Sequence, residues 1–123
     1  MSAPARRAVA PIAAHAQQAA AVCVDNKAAD VMLLDLRGVT DMTDYFIIAS
    51  GTSDTHVRSV AEHVISELSA AGVRVRHSEG LTNGRWVVLD FVDFVVHVFH
   101  PSLRSYYQLE RLWGDAPVLA LNR

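Results

Sequence analysis

The sequence predicts an α/β domain: a mixed β-sheet of about five strands with flanking helices. Three observations carry this. Apolar runs of strand length recur at 31–36, 45–49 and 86–99. One segment, 57–71, repeats its apolar residues at helical spacing. Turn-forming residues separate the two kinds of segment. With 123 residues, 51% of them hydrophobic, the chain has material for one core and no room for a second domain.

Residues 1–11 hold Ser2, Pro4 and Pro11 among small residues and arginines, which predicts a flexible leader ahead of a single domain over 12–117 and a short tail at 118–123. From Ile12 to about Ala29 the alanine-rich sequence favours helix, because alanine loses no side-chain entropy, although its apolar face is shallow. Val31 to Leu36 reads as a strand, and Gly38 to Asp44 as a polar connection. Tyr45 to Ala49 is unbroken apolar sequence, as expected of a central strand buried on both faces. Ser50-Gly51-Thr52-Ser53 marks a sharp turn in which Thr52 or Ser53 can cap the next helix. In that helix Val57, Val60, Ala61, Val64, Ile65, Leu68 and Ala71 form one apolar stripe, and Gly72 stops it. Val73, Val75 and His77 alternate with Arg74, Arg76 and Ser78, the pattern of a strand with one wet face, before Asn83-Gly84 turns the chain.

Between Trp86 and Phe99 a two-residue loop at Val92-Asp93 would pair Phe91 with Phe94, Leu89 with Val96 and Val87 with Val98 on one wholly apolar face. The period-two rule then puts Trp86 across from Phe99, Val88 from His97 and Asp90 from Val95 on the other. That second face mixes apolar and polar groups, as partner-binding surfaces do. Pro101 fits the first turn of a final helix with Leu103, Tyr106, Tyr107, Leu109, Leu112 and Trp113 on its apolar side, ended by Gly114 and Pro117.

Composition narrows the function. Eleven Lys and Arg against thirteen Asp and Glu give a net charge of -2 with no dense basic run, so little direct nucleic-acid binding is expected. The single cysteine, Cys23, leaves no partner for an intrachain disulfide and no multi-cysteine zinc cage. Arg6-Arg7 precedes an alanine-rich run, but Pro11, His15 and Gln17-Gln18 interrupt it, so a secretory apolar core is missing and nothing approaches membrane-spanning length. An organellar transit peptide stays open; a soluble cytoplasmic protein is the expectation. His97 and His100 fall on opposite sides of a strand, and His56 and His63 are separated by roughly 10 Å along a helix, so no metal site is expected.

Several ordered motifs resemble one family. Asp44-Tyr45-Phe46-Ile47-Ile48-Ala49-Ser50-Gly51-Thr52-Ser53, Glu79-Gly80, Trp86-Val87-Val88-Leu89-Asp90, Asp93 through Val98, and Tyr107-Gln108-Leu109-Glu110-Arg111-Leu112-Trp113 are similar to the ribosomal silencing factor, or Iojap-like, family. The resemblance covers roughly residues 14–117. It implies a translational repressor, not an enzyme, that needs no cofactor and binds the large ribosomal subunit via ribosomal protein uL14. By sterically blocking association with the small subunit, such a protein limits translation under nutrient limitation. It also implies a nucleotidyltransferase-like but non-catalytic fold and allows a homodimer. Val92 departs from the pattern, since the family often has glycine there, and a β-branched residue disfavours the positive φ of a tight hairpin turn.

The residues expected to meet the partner are Glu79, Trp86, Val88, Asp90, Asp93 and His97. Tryptophan is enriched among interface hot spots, and acids beside it would attract a basic ribosomal protein. The competing reading makes Trp86 a core aromatic under a covered sheet. A rival function is a nucleotide-binding or nucleotidyltransferase-like enzyme with Gly51-Thr52-Ser53 at a helix start for phosphate, but no Asp-x-Asp or Asp-x-Glu pair follows on a strand. A third is a dimerisation module using the same mixed face.

Overall fold

The computed structural model describes residues 3–103 and 116–121, with side chains from residue 14 onward. Among the described residues the elements follow in the order α1 (Ala3–Asp25), β1 (Ala29–Asp35), β2 (Tyr45–Ser50), α2 (Asp54–Ala70), β3 (His77–Glu79), β4 (Trp86–Asp90), β5 (Phe94–Phe99) and β6 (Val118–Leu119). They form one mixed sheet in the order β3-β4-β5-β2-β1-β6. Only β2 and β5 run parallel; the other neighbours are antiparallel.

β2 is the centre of the sheet, and all six of its residues are buried, as its unbroken apolar sequence predicts. Tyr45, Ile47 and Ala49 point to the main core, where they meet Leu33, Val87, Leu89, Phe91, Phe94, Val96 and Val98 from the neighbouring strands. Both helices cover this side. α2 delivers Val57, Val60, Ala61, Val64 and Leu68. α1 delivers Ala16, Ala19, Ala20 and Cys23, all fully buried. Their i, i+3, i+4, i+7 spacing makes one stripe, and their small size lets α1 approach closely. Each large apolar side chain so buried stabilises the fold by roughly 1.5–3 kcal/mol. Phe46 and Ile48 point to the opposite side of the sheet, into a second cluster with Leu34, Leu36, Phe99 and Ala116.

Both helices end in the same way. At α2, Gly72 takes a φ of 87°, its N–H bonds to the Ser69 carbonyl and the Val73 N–H reaches back to the Leu68 carbonyl. At α1, Lys27 plays the glycine's part with a φ of 69°, while Ala28 N–H bonds to the Cys23 carbonyl. This terminates α1 at Asp25 rather than near Ala29 as the composition suggests. At its other end α1 reaches back to Ala3 through Pro11, so the helix starts within residues that read as a leader.

Three further expectations are corrected. β3 is confined to His77–Glu79, because Val73 and Val75 pack on the main core outside the ladder and the alternation then breaks at the exposed pair Arg76 and His77. β1 begins at Ala29, with an irregular register before Met32 and Asp30 at a φ of 51°. Val118 and Leu119, which read as tail, pair with Leu34 and Leu33 as the edge strand β6, making six strands rather than five. Residues 101–103 are helical as Pro101 suggests. The rest of that expected helix, Tyr106 through Gly114, lies outside the described residues.

The β4–β5 hairpin has the register the sequence predicts, Trp86 opposite Phe99 through Asp90 opposite Val95, closed by a Phe91 N–H to Phe94 carbonyl bond of 2.9 Å. The loop is two residues long, and Val92 meets its demand with a φ of 78°. Asp93 N–H closes a three-residue turn onto the Phe91 carbonyl, and the Asp90 carboxylate accepts from Val92 N–H at 2.7 Å. A β-branched residue at positive φ costs about 1–3 kcal/mol. Part of that cost returns when glycine replaces it, because glycine gains backbone entropy in the unfolded chain. Val92→Gly is therefore expected to raise stability by about 1 kcal/mol in urea unfolding with an unchanged m-value; a loss of stability would show that the loop is not strained.

A candidate partner-binding face

The sheet register lines up the side of the sheet away from α1 and α2 as rows of side chains. One row runs from Glu79 on β3 through Val88, His97 and Ile48 to Met32; a second runs from His77 through Asp90, Val95 and Phe46 to Leu34. A third pairs Trp86 with Phe99. Five of the six residues expected at the partner surface thus share one face, and Asp93 sits at the hairpin tip beside it.

Trp86 is half-buried at the end of this face. Its ring stacks on Phe99 with centroids 5.0 Å apart, and its Nε1–H donates to His97 Nδ1 at 3.2 Å. That bond fixes the neutral tautomer of His97 with the proton on Nε2. Gly80 secures the same corner from β3's end: at a φ of 85°, any Cβ there would fall 2.0 Å from the Trp86 carbonyl oxygen. Trp86 is therefore neither wholly core nor wholly surface. It packs against the second apolar cluster and is half-buried there.

His97 departs from the expectation of a contact residue. It is 7% exposed, edge-on to Phe46 at 4.7 Å between ring centroids, and holds Trp86 in place. Its Nε2 is buried without a hydrogen-bond partner. Burial lowers its pKa from 6.5 to about 4. Sequence alternation put it on the right face but could not show how deep that face is. Val88 and Asp90 are half-buried, Glu79 and Asp93 exposed. Glu79 accepts from His77 Nε2 at 2.8 Å, both side chains well exposed, so this pair adds little to stability. Arg85, just before β4, lies by Ser102, while Arg76 bonds through its backbone N–H to the Asp90 carbonyl.

The turn at Gly51-Thr52-Ser53 is closed on itself. Gly51 N–H bonds to the Phe99 carbonyl, Thr52 N–H to His56 Nδ1 at 2.9 Å, and His56 N–H to the Ser53 hydroxyl, which caps α2. The Asp54 carboxylate adds a negative charge in the first turn, favourable to the helix and repulsive to a phosphate. Asp90 and Asp93, two carboxylates three residues apart across the hairpin loop, lie at the opposite end of β5, roughly 15 Å from this turn. Among the described residues, this turn and that carboxylate pair are not brought together. Among the described residues, no group of three or more His, Cys, Asp or Glu could hold a metal ion, and no helix is long and apolar enough to cross a membrane. His56, for which the sequence predicts no metal-binding role, ties α2 to the end of α1: its Nε2 donates to the Asn26 carbonyl at 2.7 Å. No short-range pattern signals a bridge between residues thirty positions apart.

Comparison with known proteins agrees with this architecture. The profile of the family described as "Ribosomal silencing factor during starvation" matches residues 9–123. The chain is 45% identical over 104 residues to the "Ribosomal silencing factor RsfS" of Bacillus subtilis, covering 85% of this chain and 88% of that protein. A crystal structure of a protein from Chromobacterium violaceum superposes with a TM-score of 0.77 at 35% identity, covering 92% of this chain and 91% of that one. A mouse protein named "Mitochondrial assembly of ribosomal large subunit protein 1" is 30% identical over 89 residues, 70% of this chain and 39% of its own.

The buried imidazole makes stability depend on pH. His97 titrates at about 4 when folded and near 6.5 when unfolded, so as pH falls through this window the unfolded chain takes up the proton first. The contribution is fully present above pH 6.5 and is lost progressively down to pH 4, by up to about 3 kcal/mol. Urea unfolding at pH 7 and pH 4.5 should show this loss in the wild type and a clearly smaller one in His97→Gln; equal losses would place the proton elsewhere.

Proposed function

The chain belongs to the ribosomal silencing factor family, and we propose that it represses translation by binding the large ribosomal subunit through ribosomal protein uL14, so that its bulk blocks association with the small subunit. The observation that carries this reading is the face built by Trp86, Val88 and Asp90, with Glu79 beside it on β3 and Asp93 at the tip. A half-buried tryptophan held by a stacked ring and a hydrogen bond is a pre-organised anchor, because little side-chain entropy remains to be lost on docking. His97 lies beneath and positions it. Glu79 near the anchor, with Asp90 and Asp93 further along the same side, suits a basic ribosomal protein, steering its approach and disfavouring direct contact with RNA phosphates.

Such a mechanism is steric occlusion and requires no bond to be made or broken. The mouse relative's name, which refers to assembly of the ribosomal large subunit, supports the choice of subunit. The internally satisfied turn at Gly51-Thr52-Ser53 and its Asp54 charge weigh against a nucleotide at that helix start. Cytoplasmic action fits this reading, since the proposed partner is a ribosome. Self-association through the same face would compete with docking, which makes a homodimer a stored form rather than the acting one.

Purified protein is expected to co-sediment with isolated large subunits and to reduce their joining with small subunits. Trp86→Ala should weaken both by tenfold or more. Because the ring also packs on Phe99, a second variant, Glu79→Lys, reverses a charge at an exposed position and leaves the fold intact; it should weaken binding several-fold at low salt. If Trp86→Ala unfolds the domain while Glu79→Lys binds as the wild type does, the face is core and the reading fails.

A further inference from the structure

At the Asp90 end of the sheet three large apolar side chains stand in solvent. Met42 is 75% exposed, Val92 48% and Val39 39%. They come from two loops, 36–44 and 91–93, that are tied to each other: Thr43 Oγ1 donates to the Val92 carbonyl and Asp44 N–H to the Asp93 carbonyl, both at 3.0 Å. The two loops are therefore bonded to each other in the free protein. Scattered exposed apolar residues need no explanation, but three on two cross-bonded loops beside a strained residue do. Val92 keeps its side chain out at a φ of 78°, where glycine would sit without strain.

We propose that the Met42–Val92 tip, flanked by Asp41 and Asp93, docks against a basic protein surface of the large ribosomal subunit, inserting its apolar side chains into a recess there. This rests on the reading above that the partner lies on that subunit, and adds a contact that reading does not contain. Charge selects the occupant. Asp35, Asp41, Asp44, Asp90 and Asp93 cluster at this end among the described residues, against Arg37 and Arg76. Arg37 is already engaged, bonded to Asp35 at 2.7 Å and lying over the Tyr45 ring. A second copy of the chain would bring like charges together, and RNA would bring phosphates. A basic protein surface satisfies both the acids and the apolar centre. Methionine, unbranched and polarisable, adapts to such a recess. Trp86 and Val92 lie at the two ends of β4, roughly 15–20 Å apart, within the span of one ordinary protein interface.

Met42→Ser and Val92→Gly both act on exposed side chains, and the second relieves strain, so neither should unfold the domain. Co-sedimentation of each with isolated large subunits is expected to show about five- to tenfold weaker binding than the wild type, with the double variant weaker still. Analytical ultracentrifugation of the free proteins runs alongside. Wild-type binding that the two variants match overturns the tip contact and leaves the Trp86 reading standing. Failure of the wild type to co-sediment overturns both. A wild-type dimer that Met42→Ser dissociates, or equal binding to protein-stripped ribosomal RNA, reassigns the tip to a second copy or to RNA and overturns the proposal.

Discussion

The register of β4 against β5 governs how this chain divides its labour. Because side chains alternate along a strand, a slip of one residue would send Val87, Leu89 and Phe91 away from the helices and bring Trp86, Val88 and Asp90 under them. Two things prevent it. The wholly apolar set on one side gains burial only in this register, and a two-residue loop leaves no slack for another. Val92 bears the cost of that loop in its positive φ. The strain is tolerable because the burial it secures, several side chains at roughly 1.5–3 kcal/mol each, is larger. β5 then carries the register inward to β2 through the one parallel pairing in the sheet, so the hairpin's alternation becomes that of the whole sheet.

What was legible in the sequence was what repeats. The all-apolar β2, the apolar stripe of α2 with Gly72 behind it, and both faces of the hairpin follow from short-range periodicity, and each stands where its pattern puts it. What was not legible depends on a single residue doing an unusual job or on distant partners. Lys27 ends α1 in a conformation that glycine normally marks. Asp30 bends β1, and Val118 and Leu119 find a strand to pair with far away in the chain. The helical spacing of Ala16, Ala19, Ala20 and Cys23 predicts a face, but only packing shows that such small side chains make a full helix–sheet contact.

The same distinction applies to the partner face. Alternation placed Trp86, Val88, Asp90 and His97 together, and their mix of apolar and polar groups is what suggests a partner face. Depth was invisible: His97 proved to lie below the surface, with its ring holding the tryptophan. Met42 and Val39 carried no signal at all, because a loop has no period and an exposed apolar residue becomes notable only beside another. The cross-ties from Thr43 and Asp44 to the hairpin turn are what make a platform of two separate loops.

Hydroxyl-radical footprinting of the protein, free and bound to isolated large subunits, tests the central claim most directly because it reports side chains rather than backbone. The account predicts that oxidation of Trp86 falls sharply on binding while exposed His63 on α2, on the other side of the sheet, is unchanged. Protection of His63 with Trp86 as reactive as before would show that the helices meet the ribosome and that the face described here does not.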